Sequence, residues 1–269
     1  MTVSQLSSSP AKIELCNVTH LYVSSTRAFM AIKGIDLRVE EGEFICLVGP
    51  SGCGKTTILS LIAGLEQPTA GKVFIENQEV LGTSQRVGYM LQQDYLFNWR
   101  TIEENIFLGL DIQGIRNQET EEYALHLLAE MELSDFRRSY PHQLSGGMRQ
   151  RVALVRTLAC QPEILLLDEP FSALDYQTKL KLEDLIVATL RRHKKTAMLV
   201  THDLSEAIAM GDRLYILARN PGRINREIVI PDSIRKPLPF HARNAEGFTN
   251  LFNQVWKEME GLADASRGD

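Results

Sequence analysis

Apolar residues recur along this chain with two different periods, and the alternation between them outlines a fold. Stretches 12–18, 31–39 and 72–75 alternate apolar and polar positions, the period of strands with one buried face. Three such strands near the N-terminus predict a small antiparallel layer. From Thr101 to about Leu133 the period lengthens, with Ala124, Leu127, Leu128 and Met131 at helical spacing behind Asn117, a candidate helix cap. Beyond residue 160 short apolar runs at 164–167, 197–200 and 214–218 are interleaved with a helical stretch at 180–190. Alternation of that kind predicts an α/β fold, a parallel sheet covered by helices. Asn220, Pro221 and Gly222 make a turn into a last strand over 223–230.

The first chemistry sits between an apolar run at 44–48 and a helical run at 58–63. Gly49, Pro50, Ser51, Gly52, Cys53, Gly54, Lys55 and Thr56 fit the phosphate-loop pattern G-x-x-x-x-G-K-[ST]. Glycines let successive backbone N–H groups turn toward phosphate oxygens, and the helix start and Lys55 add positive charge. Thr56 is then placed to ligate Mg²⁺. A second site follows the run 164–167, which ends in Asp168 and Glu169. Alone it fits a strand ending in solvated acids. After a phosphate loop it fits a metal carboxylate, Asp168, beside a general base, Glu169, that polarises the attacking water.

Composition narrows the class. The 269 residues are 44% hydrophobic and 23% charged, with a net charge of -5, which gives no reason to expect nucleic acid as a partner. No apolar stretch approaches the roughly 18 residues needed to cross a bilayer. Residues 1–10 lack the basic and apolar regions of a signal peptide, so the chain is expected in the cytosol, with 1–10 a flexible tail. Cys16, Cys46, Cys53 and Cys160 form no C-x-x-C pair, so reduced thiols are expected. Cys53, inside the loop, is expected to be shielded from thiol reagents by bound nucleotide.

Leu144, Ser145, Gly146, Gly147, Met148, Arg149, Gln150 and Arg151 resemble the signature of ATP-binding-cassette ATPases. Other family elements stand in order around it: Gln92 matches the Q-loop glutamine, 172–175 ending in Asp175 the D-loop, His202 the switch histidine, and Tyr22 the aromatic that stacks on adenine. The resemblance implies a P-loop NTPase with a RecA-like core, an antiparallel layer and an inserted α-helical subdomain at about 93–155. The cassette would span 11–230. ATP and Mg²⁺ would be held by the loop with Thr57, Gln92 would also reach the metal, and His202 would orient the water. Ser145, Gly146 and Gly147 would contact the γ-phosphate held by a second, head-to-tail subunit, identical or paired. His20, His126, His142, His193 and His241 lack such a context and are expected on a solvated surface.

Finer resemblance concerns 92–101, Met148 and 220–224, which are similar to ATPase subunits of bacterial nitrate, taurine and alkanesulfonate importers. It implies a peripheral subunit on the cytoplasmic face of the inner membrane, with two permease subunits and a solute-binding protein as partners. The solute would be nitrate, a sulfonate, taurine or bicarbonate. Asn98 departs from the proline usual before Trp99, which leaves importers of thiamine precursors, exporters and non-transport cassette proteins as alternatives. Trp99 is open to two readings, a core residue or an aromatic anchor for the permease. After residue 230 the chain carries Phe248, Leu251, Phe252, Val255 and Met259 at helical spacing, one amphipathic helix in the extension 231–269.

Overall fold

A computed structural model describes residues 11–24 and 28–265, with side chains to residue 262. The tail expected at 1–10 lies outside the described residues. Strands β1 (Ile13–Val23), β2 (Ala28–Val39), β4 (Ala70–Ile75) and β5 (Gln78–Glu79) form an antiparallel sheet in the order β2-β1-β4-β5. The second sheet has six strands. Strands β6 (Val87–Met90), β7 (Ile164–Asp168), β8 (Thr196–Val200), β3 (Phe44–Val48) and β9 (Arg213–Ala218) run parallel, and β10 (Arg223–Val229) closes the edge antiparallel to β9.

The central strands β3, β7 and β8 are buried at every position, which explains their unbroken apolar runs. Alternate residues serve two different cores. Ile45, Leu47, Ile164, Leu166, Met198 and Val200 face a cluster with helix α1 (Lys55–Ile62) and the antiparallel layer. Cys46, Val48, Leu165, Leu167, Ala197 and Leu199 face the other cluster, built with the remaining helices. Because β3, β8 and β7 are adjacent and parallel, their C-terminal ends open onto one edge, where loops 49–54, 169–175 and 201–203 emerge.

The helical stretch expected over 101–133 is two helices. Helix α2 (Ile102–Gln113) starts at a Thr101–Glu104 capping box and ends at Gly114 in the left-handed conformation. Helix α3 (Gln118–Glu130) then starts at Asn117, whose side chain accepts from Thr120 N–H, so the expected cap opens the second helix. Helix α4 (Gly146–Ala159) follows, then α5 (Tyr176–Arg192) and α6 (Leu204–Met210). The C-terminal extension adds two short helices that hydrophobic spacing does not reveal, α7 (Asp232–Arg235) and α8 (Pro239–Ala242), before α9 (Phe248–Ala265). Ile234, Ala242, Phe248, Leu251 and Val255 are buried in the same cluster as Ala207 and Ile208 of α6.

Candidate functional site

Loop 49–54 links β3 to α1 through a conformation only glycine adopts cheaply. Gly54 has φ 91°, and a Cβ there would come within 2.3 Å of Ile32 Cγ2. Lys55 follows as the first residue of α1. Its buried Nζ donates to the Gly49 carbonyl at 2.8 Å and the Pro50 carbonyl at 3.3 Å, which holds the ammonium inside the curve of the loop. Cys53 N–H donates to the Pro50 carbonyl at 3.3 Å. The Cys53 side chain turns the other way, into the core, with no exposure, and burial pushes its thiol up. The fold itself therefore shields Cys53, which corrects the expectation that nucleotide would do so.

A cavity of about 470 Å³ opens above this loop, lined by Gly49, Ser51, Gly52, Gly54, Lys55, Thr56 and Thr57 together with Tyr22, Gln92, Glu169 and His202. Four separated stretches of chain thus meet at one strand edge. Glu169 Oε2 accepts from Gln92 Nε2 at 3.0 Å and lies 3.5 Å from His202 Nδ1. The backbone of Glu169 is left-handed, φ 49°, and is pinned by its N–H to the Val200 carbonyl at 2.9 Å. Such a conformation costs about 1–3 kcal/mol in a non-glycine residue and here aims the carboxylate into the cavity. Asp168 beside it is buried, and burial pushes its carboxyl up, opposed by the Thr56 hydroxyl.

Tyr22 stands at the cavity rim. Its hydroxyl donates to Glu66 Oε1 at 3.2 Å and lies 3.4 Å from Thr57 Oγ1, which ties the ring to α1. Two residues of this corner escape sequence reasoning. Phe29 is exposed on the rim directly across from Tyr22 in the β1–β2 pairing, a neighbour that strand register alone reveals. His20 is buried rather than solvated, its Nε2 2.8 Å from Glu66 Oε2 and its ring edge-on to Tyr22 at 4.7 Å. Its alternation with Val18, Tyr22 and other β1 positions was the available signal.

The signature residues lie elsewhere. Ser145 caps α4, accepting from Met148 N–H at 3.3 Å. Gly146 borders a separate cavity of about 410 Å³ with Gln92, Gln93, Asp94, Tyr95, Ser172 and Ala173. Gly147 is needed for close approach, because a Cβ there would sit 3.0 Å from the Ala173 carbonyl. Asp175 caps α5, accepting from Thr178 N–H at 3.0 Å. Neither Ser145 nor Gly147 nor Asp175 borders the cavity above Lys55.

Side chains of α4 that carried no assigned role join the two cavities. Gln150 donates to the Glu169 carbonyl and to Ser172 Oγ, both at 3.2 Å, and accepts from Ala173 N–H at 3.0 Å. Arg149 pairs with Asp94 at 3.0 Å, and Arg156 donates to the carbonyls of Asp94 and Tyr95 at 2.7 and 2.9 Å. Helix α4 is thereby bolted to the segment after Gln92 and to the loop after Glu169. Trp99 is 74% exposed, its ring against Phe97 at 4.9 Å, so it is no part of the core. Among the described residues no helix is long and apolar enough to cross a membrane.

Comparison with known proteins was made against this geometry. The family model described as ABC transporter matches residues 32–172. An uncharacterized ABC transporter ATP-binding protein of Bacillus subtilis (strain 168), YtlC, is 51% identical over 251 residues, 93% of this chain and 96% of that protein. The nitrate import ATP-binding protein NrtD of Synechocystis sp. is 40% identical over 218 residues, 81% of this chain and 82% of that protein. Among solved structures, the dimeric post-hydrolysis state of the ATP-binding cassette MJ0796 bound to ADP and Pi matches with a TM-score of 0.75 at 35% identity. That match covers 81% of this chain and 99% of the other.

Proposed function

Because the chain belongs to the ABC transporter family, we infer that it is the ATP-hydrolysing subunit of an importer of a small solute. The observation that carries the reading is the meeting of the Lys55 loop, Glu169 and His202 around one cavity at the ends of β3, β7 and β8. Lys55 and the loop N–H groups would hold the phosphates of ATP, and Tyr22 would stack on the base. Glu169 would take a proton from the attacking water, with His202 and Gln92 on either side of its Oε2 to orient it. The donors Thr56, Gln92 and Asp168 suit Mg²⁺, a hard cation that takes oxygen ligands and needs few from the protein. Bound there, the ion would neutralise phosphate charge and relieve the buried Asp168 carboxylate.

One chain leaves this site without its signature residues. Ser145, Gly146 and Gly147 border a different cavity or none, so they would act on the nucleotide of a second, head-to-tail copy or paired subunit. The dimeric ADP-bound MJ0796 supports that arrangement by likeness. Closure would then depend on the γ-phosphate, and its cleavage would reopen the pair.

The likeness to NrtD, with the segments 92–101 and 220–224, favours an oxyanion, sulfonate or bicarbonate as solute. A pair of permeases would hold the subunit at the cytoplasmic face of the membrane, with the exposed Trp99 in the docking groove beside Gln92. An extracytoplasmic binding protein would deliver the solute. Glu169→Gln is the test: it should bind ATP, accumulate as an ATP-bound dimer and hydrolyse about 10²- to 10⁴-fold more slowly. Cells carrying it in place of wild type should lose uptake of one such solute. Near-normal turnover would refute the role of Glu169, and unchanged uptake in cells without the chain would refute the importer.

A further inference from the structure

His202 reaches the cavity from a three-residue link, Thr201 to Asp203, between β8 and α6. Its side chain is 69% exposed and meets only Glu169, so packing does not fix the ring. Its position must come from the backbone on either side. Thr201 is buried, and its hydroxyl donates to Glu206 Oε2. Asp203 caps α6 through Oδ1, accepting from Ser205 N–H at 2.8 Å and Glu206 N–H at 3.3 Å, and its own N–H donates to Thr201 Oγ1 at 3.0 Å.

One side chain from another element closes this ring of contacts. Lys179 Nζ lies 2.6 Å from Asp203 Oδ2 and 2.5 Å from Glu206 Oε1, so its ammonium bridges the carboxylates that hold both neighbours of His202. The pair is sheltered, with side-chain exposures of 14% for Lys179 and 6% for Glu206. Lys179 stands on the first turn of α5, its N–H donating to the Asp175 carbonyl at 2.9 Å. The loop that ends at Asp175 is the one Gln150 of α4 grips through Ser172 and Ala173.

We propose that Lys179 is a positioning residue for ATP hydrolysis: it locks the His202 link to the start of α5, so that the loop 172–175 and the switch histidine move as one unit. The inference rests on the ATPase reading above. Lys179 touches neither the cavity nor Glu169, and it acts through Asp203 and Glu206. Loss of the ammonium leaves the link attached at Thr201 and the helix cap while removing its tie to α5. Nucleotide binding at the Lys55 loop does not involve that tie, so the effect belongs to turnover.

Steady-state turnover by the full chain tests this, with Lys179→Met, Lys179→Arg and Asp203→Asn beside wild type and Glu169→Gln. Lys179→Met should lower kcat about 10- to 100-fold, the scale of a misplaced catalytic group, with KM for ATP within about threefold of wild type. Lys179→Arg keeps a cation for both carboxylates and should recover kcat to within about threefold. Asp203→Asn retains the Oδ1 cap and loses the charge pair, so kcat should fall by less. It carries the test if Lys179→Met does not fold. Turnover of Lys179→Met, or failing that of Asp203→Asn, within about twofold of wild type would overturn the inference. So would a fall in kcat matched by a rise in KM that Lys179→Arg does not reverse. A wild type that hydrolyses no ATP, with Glu169→Gln no different, would instead refute the ATPase reading.

Discussion

Around Lys55, a glycine loop, an acid pair, a glutamine and a histidine from distant parts of the chain face one cavity, each held by short contacts within the same molecule. Around Ser145 the order is just as high, with a capped helix, a glycine fitted against Ala173 and Gln150 gripping two loops, yet the residues face away from that cavity. The difference separates two kinds of site. The first has its phosphate cradle and its base in place, whereas the second is a rigid surface whose chemistry depends on what is brought to it.

The sharpest way to break that contrast is Ser145→Arg. If Ser145 acts on a second subunit, the variant should bind ATP and lose turnover by about 10²- to 10³-fold, the cost of removing one anion donor from a transition state. Lys55→Ala should lose nucleotide binding or turnover on its own side. Mixed, the two variants form a heterodimer with one doubly defective and one intact site, and partial recovery of activity is expected. Turnover of Ser145→Arg at the wild-type rate would show that the second surface has no such part.

A smaller effect is expected on the rim of the first cavity. Tyr22→Ala should raise KM for ATP about fivefold or more with kcat little changed, since base stacking is worth about 1–3 kcal/mol. Phe29→Ala should act in the same direction by less, because no hydrogen bond ties that ring to α1. Equal KM values in wild type and both variants would remove the rim from nucleotide recognition.

The smallest expected effect comes from buried charge, which the two halves treat oppositely. Glu163, half exposed beside Arg86 at 2.9 Å and Lys12 at 2.7 Å, is held down to about 2 by those bonds. Glu183 on α5 is wholly buried, 2.6 Å from Arg243 Nη2, and burial pushes its carboxyl up to about 7 despite that partner. The stability Glu163 adds is complete above its unfolded value of about 4.5 and lost as pH falls toward about 2. That of Glu183 is complete below about 4.5 and lost as pH rises to about 7. Wild type should therefore lose a few degrees of melting temperature between about pH 5 and 8 that Glu183→Gln does not lose. An unchanged slope in Glu183→Gln would place the titrating group elsewhere.

Wherever function depends on residues adjacent in the chain, the sequence alone determined the outcome. Loop 49–56, the acids after β7, the signature cap and the strand periods are local patterns, and backbone geometry turns each into its structure with little help from elsewhere. The break at Gly114 was also local, but a helical period continues on both sides of it and conceals it. Tertiary structure alone decided what lay opposite what. Phe29 faces Tyr22 through strand register, and His20 is buried because β1 pairs on both sides. Gln150 and Lys179 reach loops 19 to 24 residues away because α4 and α5 pack at particular depths on one sheet. Such contacts are set by the summed packing of two cores, and no short stretch of residues carries that information.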